Sequence, residues 1–387
     1  MAQRLRQAVK NGTQVSSIDA AGDDPLFKLT ARATVLPAAI ADTLAQVAVA
    51  LAKLKSVDVP AALAGVSADA NAQKIAESLA SGVQVSVLLG NAAVNAPDAS
   101  RIAANAQLVA QLAAGKLGFL TAGANTVGGY LAAAVPVKGG KGAAAMFAQP
   151  LKAYIVLHAE PLLDADNGAQ ALAALKAAKF NVALTSYASS AKEWANVMLP
   201  ISPFTETSGT FVNAQGLAQS FKGTVAPHGQ TRSGWKVLRV LGNVLHLAGF
   251  DDETSESVRD AVLSGGVQSR LSNQISAAVG IAGQAAAGLQ RVTDVPIYRT
   301  DAIVRRAEAL QASQASRLPV ARMHAQTMAN LGVEQGARIR IKSVSGQIEL
   351  IAEQDNTLAA DAVRIAAGFA QTAALGSAFG QLNVERA

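Results

Sequence analysis

The chain has no cysteine, which excludes disulfides, thiolate nucleophiles, thiolate zinc sites and cysteine-ligated iron–sulfur clusters within its 387 residues. A reducing compartment is compatible with that composition. Aromatic residues make up only 4% and charged residues 16%, although half of the chain is apolar, much of it alanine. This balance favours close-packed helices over a β-sandwich, which would draw on aromatic and β-branched side chains. The net charge of +6 is thinly spread, and no basic run is interleaved with aromatics, so nucleic acid is not an expected partner. The four histidines, His158, His228, His246 and His324, lack the spacing of metal ligands. There is no Gly-x-Ser-x-Gly elbow, and no Gly-x-Gly-x-x-Gly turn follows the first strand.

Membrane segments are scarce as well. Residues Met1–Val15 carry Arg4, Arg6 and Lys10 without an apolar core and so do not read as a secretory signal. The most apolar stretch, Ala38–Leu54, is interrupted by Asp42 and Gln46 and is not expected to span a bilayer. Any membrane attachment is expected to run through a partner.

What is present is an alternation of strands and helices, on a chain long enough for two or three domains. A short helix around Leu5, Ala8 and Val9 closes at Asn11-Gly12, and Gln14–Ile18 reads as a strand with no earlier strand to pair with. The chain is therefore expected to start inside a domain. Leu44, Val47, Leu51 and Leu54 recur at helical spacing, and Val83–Leu89 reads as a strand buried on both faces. Asp98 is a candidate N-cap for a helix through Ile102, Val109 and Leu112. Strands at Tyr154–Leu157, Val182–Thr185 and Val197–Leu199, separated by helices, imply parallel crossovers and a doubly wound sheet. Trp235–Ala248 reads as an amphipathic helix, which makes His246 a packed core residue.

Near the C-terminus, Ala337–Val344 and Gln347–Glu353 alternate around Ser345-Gly346 as a hairpin. A two-residue turn sets Lys342 opposite Glu349, Arg338 opposite Glu353, Ile341 opposite Leu350 and Ile339 opposite Ala352. One face is then salt-paired and the other apolar, as a small barrel requires.

Two glycine-containing elements carry what chemistry there is. Lys138–Gly142 lacks a Gly-Lys-Ser/Thr ending and reads as a loop. The bend Gly123–Gly129 either presents backbone N–H groups to an anion or is a tight strand-to-helix turn. Beyond Pro200 and Pro203 lies a loop dense in hydroxyls, amides and glycine: Thr205, Glu206, Thr207, Ser208, Gly209, Thr210, Asn213 and Gly216. In an open α/β sheet such a loop lies where ligands bind.

Gly123, Asn125 and Gly128 resemble the Gly-x-Asn-x-x-Gly signature of the molybdopterin oxidoreductase superfamily. Glu206, Gly209, Thr210, Asn213 and Gly216 resemble its Glu-x-x-Gly-Thr-x-x-Asn-x-x-Gly element. Further likeness lies in Glu160-Pro161, in the stretch from Val295 to Arg306 (VPIYRTDAIVRR) and in Leu375–Gly380 (LGSAFG). Within the superfamily, the stretch from Val295 to Arg306 is similar to the large iron–sulfur subunit family of bacterial NADH:quinone oxidoreductase, respiratory complex I.

The resemblance implies an α/β fold of doubly wound, mostly parallel sheets, of the formate dehydrogenase domain type, with a small C-terminal β-barrel. It implies an incomplete α/β region over residues 1–265, with 83–135 inserted into a sheet whose halves flank it, a connector over 266–318 and the barrel over 319–387. By the resemblance, many catalytic relatives continue Gly-Arg where this chain has Gly216-Leu217, which removes a fork for phosphate or pterin oxygens. Gly123, Asn125, Gly128, Glu206, Gly209, Thr210 and Asn213 are accordingly expected to be vestigial pterin-loop residues, with no catalytic or metal-binding residue and no bound molybdopterin.

The implied role is a non-catalytic structural and docking portion of the peripheral arm. Its partners are other subunits of that arm, and iron–sulfur clusters belong to an N-terminal part that this chain does not contain. The implied location is cytoplasmic, peripheral on the inner membrane's cytoplasmic face through the complex. The alternative is the C-terminal part of a molybdopterin-dependent oxidoreductase such as a formate dehydrogenase.

Overall fold

The computed structural model describes residues 2–136, 139–282 and 288–387. Lys138 of the Lys138–Gly142 loop and residues 283–287 of the expected connector lie outside the described residues. The strands are β1 (Ser16–Asp19), β2 (Ala31–Thr34), β3 (Ser86–Leu89), β4 (Lys116–Phe119), β5 (Ala153–Leu157), β6 (Phe180–Thr185), β7 (Val197–Pro200), β8 (Gly209–Val212) and β9 (Ala218–Phe221). Six more follow: β10 (Leu289–Val292), β11 (Ala321–Met323), β12 (Arg338–Lys342), β13 (Gln347–Gln354), β14 (Ala362–Arg364) and β15 (Gln381–Arg386). Parallel pairing joins β1 to β2, β3 to β4 and β5–β6–β7; α-helices fill the β3–β4 and β5–β6 crossovers, a 3₁₀ turn at Ala188–Ser190 lies between β6 and β7, and an irregular segment links β1 to β2. This is the expected α/β architecture, followed by a closed barrel in the order β10-β14-β11-β13-β12-β15.

Alanine explains how the first unit packs. The Ile40–Leu54 helix is buried on nearly every side, with Ala45, Leu51 and Ala52 sealed from solvent. It lies against the Ala70–Ala80 and Ala99–Leu112 helices, whose buried residues include Ala72, Ala76, Ala106 and Ala110. Small side chains let helix axes approach closely. Residues Pro37–Leu54 are apolar and long enough to cross a bilayer, but 61% of that window is buried inside the protein. A core helix has that character.

Several expectations are corrected. The strand read at Val83–Leu89 begins only at Ser86, and Val83 is fully exposed. It pairs with β4 alone, and its burial alternates, with Ser86 and Leu88 exposed and Val87 and Leu89 turned inward, so only one face is covered. The strands on either side of 83–135 pair separately, as β1–β2 and β5–β6–β7, rather than in one sheet. The first strand does have a partner, the later β2. Asp98 stands at the N-cap position but makes no capping hydrogen bond; its carboxylate faces Arg101 at 3.5 Å. The helix read as Trp235–Ala248 runs only from Gly234 to Val244. His246 follows it, exposed and at φ +54°, so it is no core residue.

In the barrel, β10 comes from within the stretch read as a connector. The hairpin register also differs by two residues: Lys342 pairs with Gln347, Arg340 with Glu349 and Ile339 with Leu350. The cause is a four-residue loop, Ser343–Gly346, closed by Ser343 N–H donating to the Gly346 carbonyl at 2.8 Å. A shift of two keeps every side chain on its face. Ile339, Ile341, Leu350 and Ala352 therefore still fill the core, with Met323, Val363 and Val384. Each large apolar side chain sealed there stabilises by about 1.5–3 kcal/mol. On the outer face Arg340 reaches Glu349 and Glu385, both at 3.3 Å, and Lys342 reaches Glu385 at 2.8 Å. Glu353 instead meets Arg317 and Arg322.

Candidate functional site

The loop expected after β7 is largely a hairpin. A 3₁₀ turn at Phe204–Glu206 leads into β8, which pairs antiparallel with β9 across Asn213–Leu217. Opposite β8, the bend from Gly123 enters a short helix, Thr126–Leu131. The Gly123 N–H is taken by Thr126 Oγ1 at 3.2 Å, and Thr121 and Thr126 both donate to the Gly123 carbonyl at 3.1 Å.

Asn125 joins the two elements. Its Oδ1 accepts from the Val212 N–H of β8 at 2.8 Å. Gly128 makes room for that reach. A Cβ at position 128 would overlap Oδ1 of Asn125 and lie 2.8 Å from its Cγ. The structure thus brings Asn125, Gly128, Gly209 and Thr210 together around one cavity of about 210 Å³. Gly209 lies under the Phe221 ring, where a Cβ would come within 2.8 Å of Cζ. Thr210 Oγ1 shares a 2.9 Å hydrogen bond with Ser220 Oγ.

Glu206 and Asn213 are turned to other tasks. Glu206 Oε2 accepts from His228 N–H at 2.9 Å and pins the far end of the loop. Asn213 Oδ1 accepts from Gln215 N–H at 2.9 Å and from Leu217 N–H at 3.1 Å, shaping the hairpin turn. Gly216 completes that turn at φ +76°, a conformation that suits glycine. Neither Glu206 nor Asn213 lines the cavity, and Leu217 points to solvent.

Trp235 and Arg259 also line the cavity, and sequence reasoning does not find them. The sequence pattern marks Trp235 only as part of an amphipathic helix. Arg259 lies on the Ser255–Val262 helix, donating to Asp260 at 2.8 Å and to Ser220 Oγ at 3.2 Å. A larger hollow, about 460 Å³, lies along Gly22–Arg32 and the side of Lys74. It shares no residue with the signature elements, so the smaller cavity is the candidate site.

The side-chain oxygens of Asn125, Thr210, Asn213 and Glu206 are engaged by the protein itself. The cavity is also below the roughly 300–1,000 Å³ of ordinary ligand pockets. Among the described residues, no group of three or more His, Cys, Asp or Glu is placed to hold a metal ion.

Comparison with known proteins agrees with the architecture. The chain is similar to the NADH-ubiquinone oxidoreductase 78 kDa subunit, mitochondrial, of Candida albicans, with 39% identity over 67 residues, 17% of this chain and 9% of that one. It is similar to the NADH-ubiquinone oxidoreductase 75 kDa subunit of Reclinomonas americana, with 40% identity over 52 residues, 13% of this chain and 8% of that one. The matched stretches span less than a tenth of the length of either relative. Among solved structures, acetylene hydratase from Pelobacter acetylenicus shares the fold with a TM-score of 0.67 at 14% identity, over 100% of this chain and 75% of that chain. The molydopterin dinucleotide binding domain model matches residues 289–384, which include the barrel strands. The molybdopterin oxidoreductase model matches residues 1–244, more than half of the chain, and the chain belongs to that family.

Proposed function

We propose that this chain is a non-catalytic structural and docking portion of the large iron–sulfur subunit of an NADH:quinone oxidoreductase, in the peripheral arm of respiratory complex I. The observation that carries the reading is the Asn125–Val212 hydrogen bond, which spends a signature amide on joining two loops of the protein. The similarity to the 78 kDa and 75 kDa subunits supports the choice of assembly. In this reading no pterin is bound, and the partners are other subunits of the arm that passes electrons from NADH toward quinone. The iron–sulfur clusters sit on cysteine-bearing segments that this chain does not contain. Its place is cytoplasmic, at the inner membrane's cytoplasmic face through the complex.

Affinity capture of the tagged chain from its own cells tests this. NADH dehydrogenase activity should co-migrate with it on a native gel, and a chain that runs alone refutes the assignment. The family membership favours one other reading, part of a molybdopterin-dependent oxidoreductase such as a formate dehydrogenase. Molybdenum or tungsten near one atom per chain, measured by elemental analysis, would establish that alternative.

A further inference from the structure

The stretch from Val295 to Arg306 finds no use at the cavity, yet it makes the most deeply buried ion pairs described. Glu160 stands in the turn after β5 with 5% of its surface exposed. Its Oε2 accepts from Arg305 Nη1 at 2.9 Å, and its Oε1 accepts from Arg306 Nη2 at 2.6 Å. Arg305 Nη2 also meets Asp164 at 2.5 Å, and Asp164 in turn accepts from the Glu160 N–H at 2.7 Å. Arg306 lies 4.2 Å from the centre of the Tyr187 ring and donates to Ser189 Oγ at 3.2 Å. Tyr187 and Ser189 follow β6. Two consecutive arginines therefore grip the turns that leave two neighbouring parallel strands.

The rest of the segment is braced against itself and against the barrel. Arg305 Nε donates to the Arg299 carbonyl at 2.9 Å, and Gln311 Nε2 donates to the carbonyls of Tyr298 and Val304 at 2.9 and 2.6 Å. Arg299 stacks 4.3 Å over Phe369, beyond β14. The charges at the sheet end also cancel: Glu160 and Asp164 against Arg305 and Arg306. Buried ions are tolerable only when paired in this way. A parallel sheet that received an anionic ligand at its carboxyl edge would leave a cation or bare N–H groups there for it.

We propose that residues 296–311 form an internal strap that closes the carboxyl end of the β5–β6 sheet, with Glu160 as its catch. The chain's own segment fills the edge where an open α/β sheet takes a ligand. The proposal stands on this geometry alone and is independent of which assembly holds the chain.

Limited trypsin digestion of the purified full chain tests it, with cleavage after Arg305 and Arg306 scored by mass spectrometry. The wild type should resist at both bonds. Glu160→Gln should raise cleavage there at least tenfold and speed hydrogen exchange at 158–160 and 186–189 by a larger factor than in β1 and β2. Arg306→Lys, at the half-exposed position, keeps the charge but loses the planar fork and should give a smaller rise at the same bonds. Equal cleavage of Glu160→Gln and wild type overturns the strap, as does acceleration spread evenly over the molecule. Should Glu160→Gln fail to fold, wild-type exchange still decides. The Arg305 and Arg306 amides, donating to Asp301 and Ile303, must be protected well beyond free-peptide rates.

Discussion

Gly128→Ala, combined with Asn125→Ala, distinguishes a glycine kept for a ligand from one kept for a neighbouring side chain. The three nearest heavy atoms to a Cβ at position 128 all belong to the Asn125 amide. That amide is held by the Val212 N–H, and Val212 is buried. Alanine at 128 must therefore expel Asn125. The orphaned N–H costs about 1–3 kcal/mol and the crowding about 1–3 kcal/mol, against about 0.5–1 kcal/mol gained by removing a glycine from a helix. The expected net loss is about 1–5 kcal/mol.

Asn125→Ala alone loses the hydrogen bond without the crowding, about 1–3 kcal/mol. In the double variant the new methyl enters space the amide has left. It should be no less stable than Asn125→Ala, and better by up to about 1 kcal/mol. Trp235 lines the same cavity, so its fluorescence in a Trp194→Phe background reports urea unfolding of this region. Additive losses in the double variant would refute the reasoning, because the glycine would then be needed whether or not Asn125 is present.

Three further outcomes are expected. Burial alone would raise the Glu160 carboxyl, but hydrogen bonds from Arg306 and Arg305 outweigh it and hold the group below the ordinary carboxylate range. Its stabilisation is thus complete above the unfolded value of about 4.3 and lost as pH falls through the lower folded value. Arg305, Arg306, Asp164, Ser189 and Ser190 surround it. Glu160→Gln should cost about 3–5 kcal/mol at neutral pH in urea titrations, and should remove that acid-dependent component. Leu217→Arg places a guanidinium at a site 53% exposed. It should change stability by less than about 0.5 kcal/mol, and elemental analysis should still find no molybdenum in the variant. Val244→Lys, at the end of its helix and 68% exposed, should also leave the melting curve within about 0.5 kcal/mol, since a cation suits a helix C-terminus. A loss above about 1.5 kcal/mol would mean that this face is covered.

What the sequence makes legible divides along a physical line. Continuous apolar runs such as Tyr154–Leu157 announce strands, and strict alternation announces the barrel hairpin. Short strands with mixed patterns do not announce themselves. Ala31–Thr34 (ARAT) reads as neither, and Leu289–Val292 carries a charge in its middle. That charge, Arg291, is 2% exposed and donates to the carbonyls of Gly376 and Ser377, partners 85 and 86 residues away. No local pattern encodes such a pairing. The hairpin register escapes the sequence for a related reason. Alternation fixes the faces but leaves the loop length open, and a four-residue loop preserves those faces as well as a two-residue turn does.

The same division governs the candidate site. Gly123, Asn125 and Gly128, and Gly209 and Thr210, are visible as two signatures, and their order points to the family. Whether an amide such as Asn125 faces a cofactor or its own protein depends on a partner 87 residues along the chain. A signature records which atoms are available; its meaning lies in what they bond. Here the Asn125 acceptor, the Thr210 hydroxyl and the Glu206 carboxylate each meet a group of the same chain, so folding alone is reason enough to keep them. An arginine after Gly216 would have no such internal task, since position 217 faces solvent.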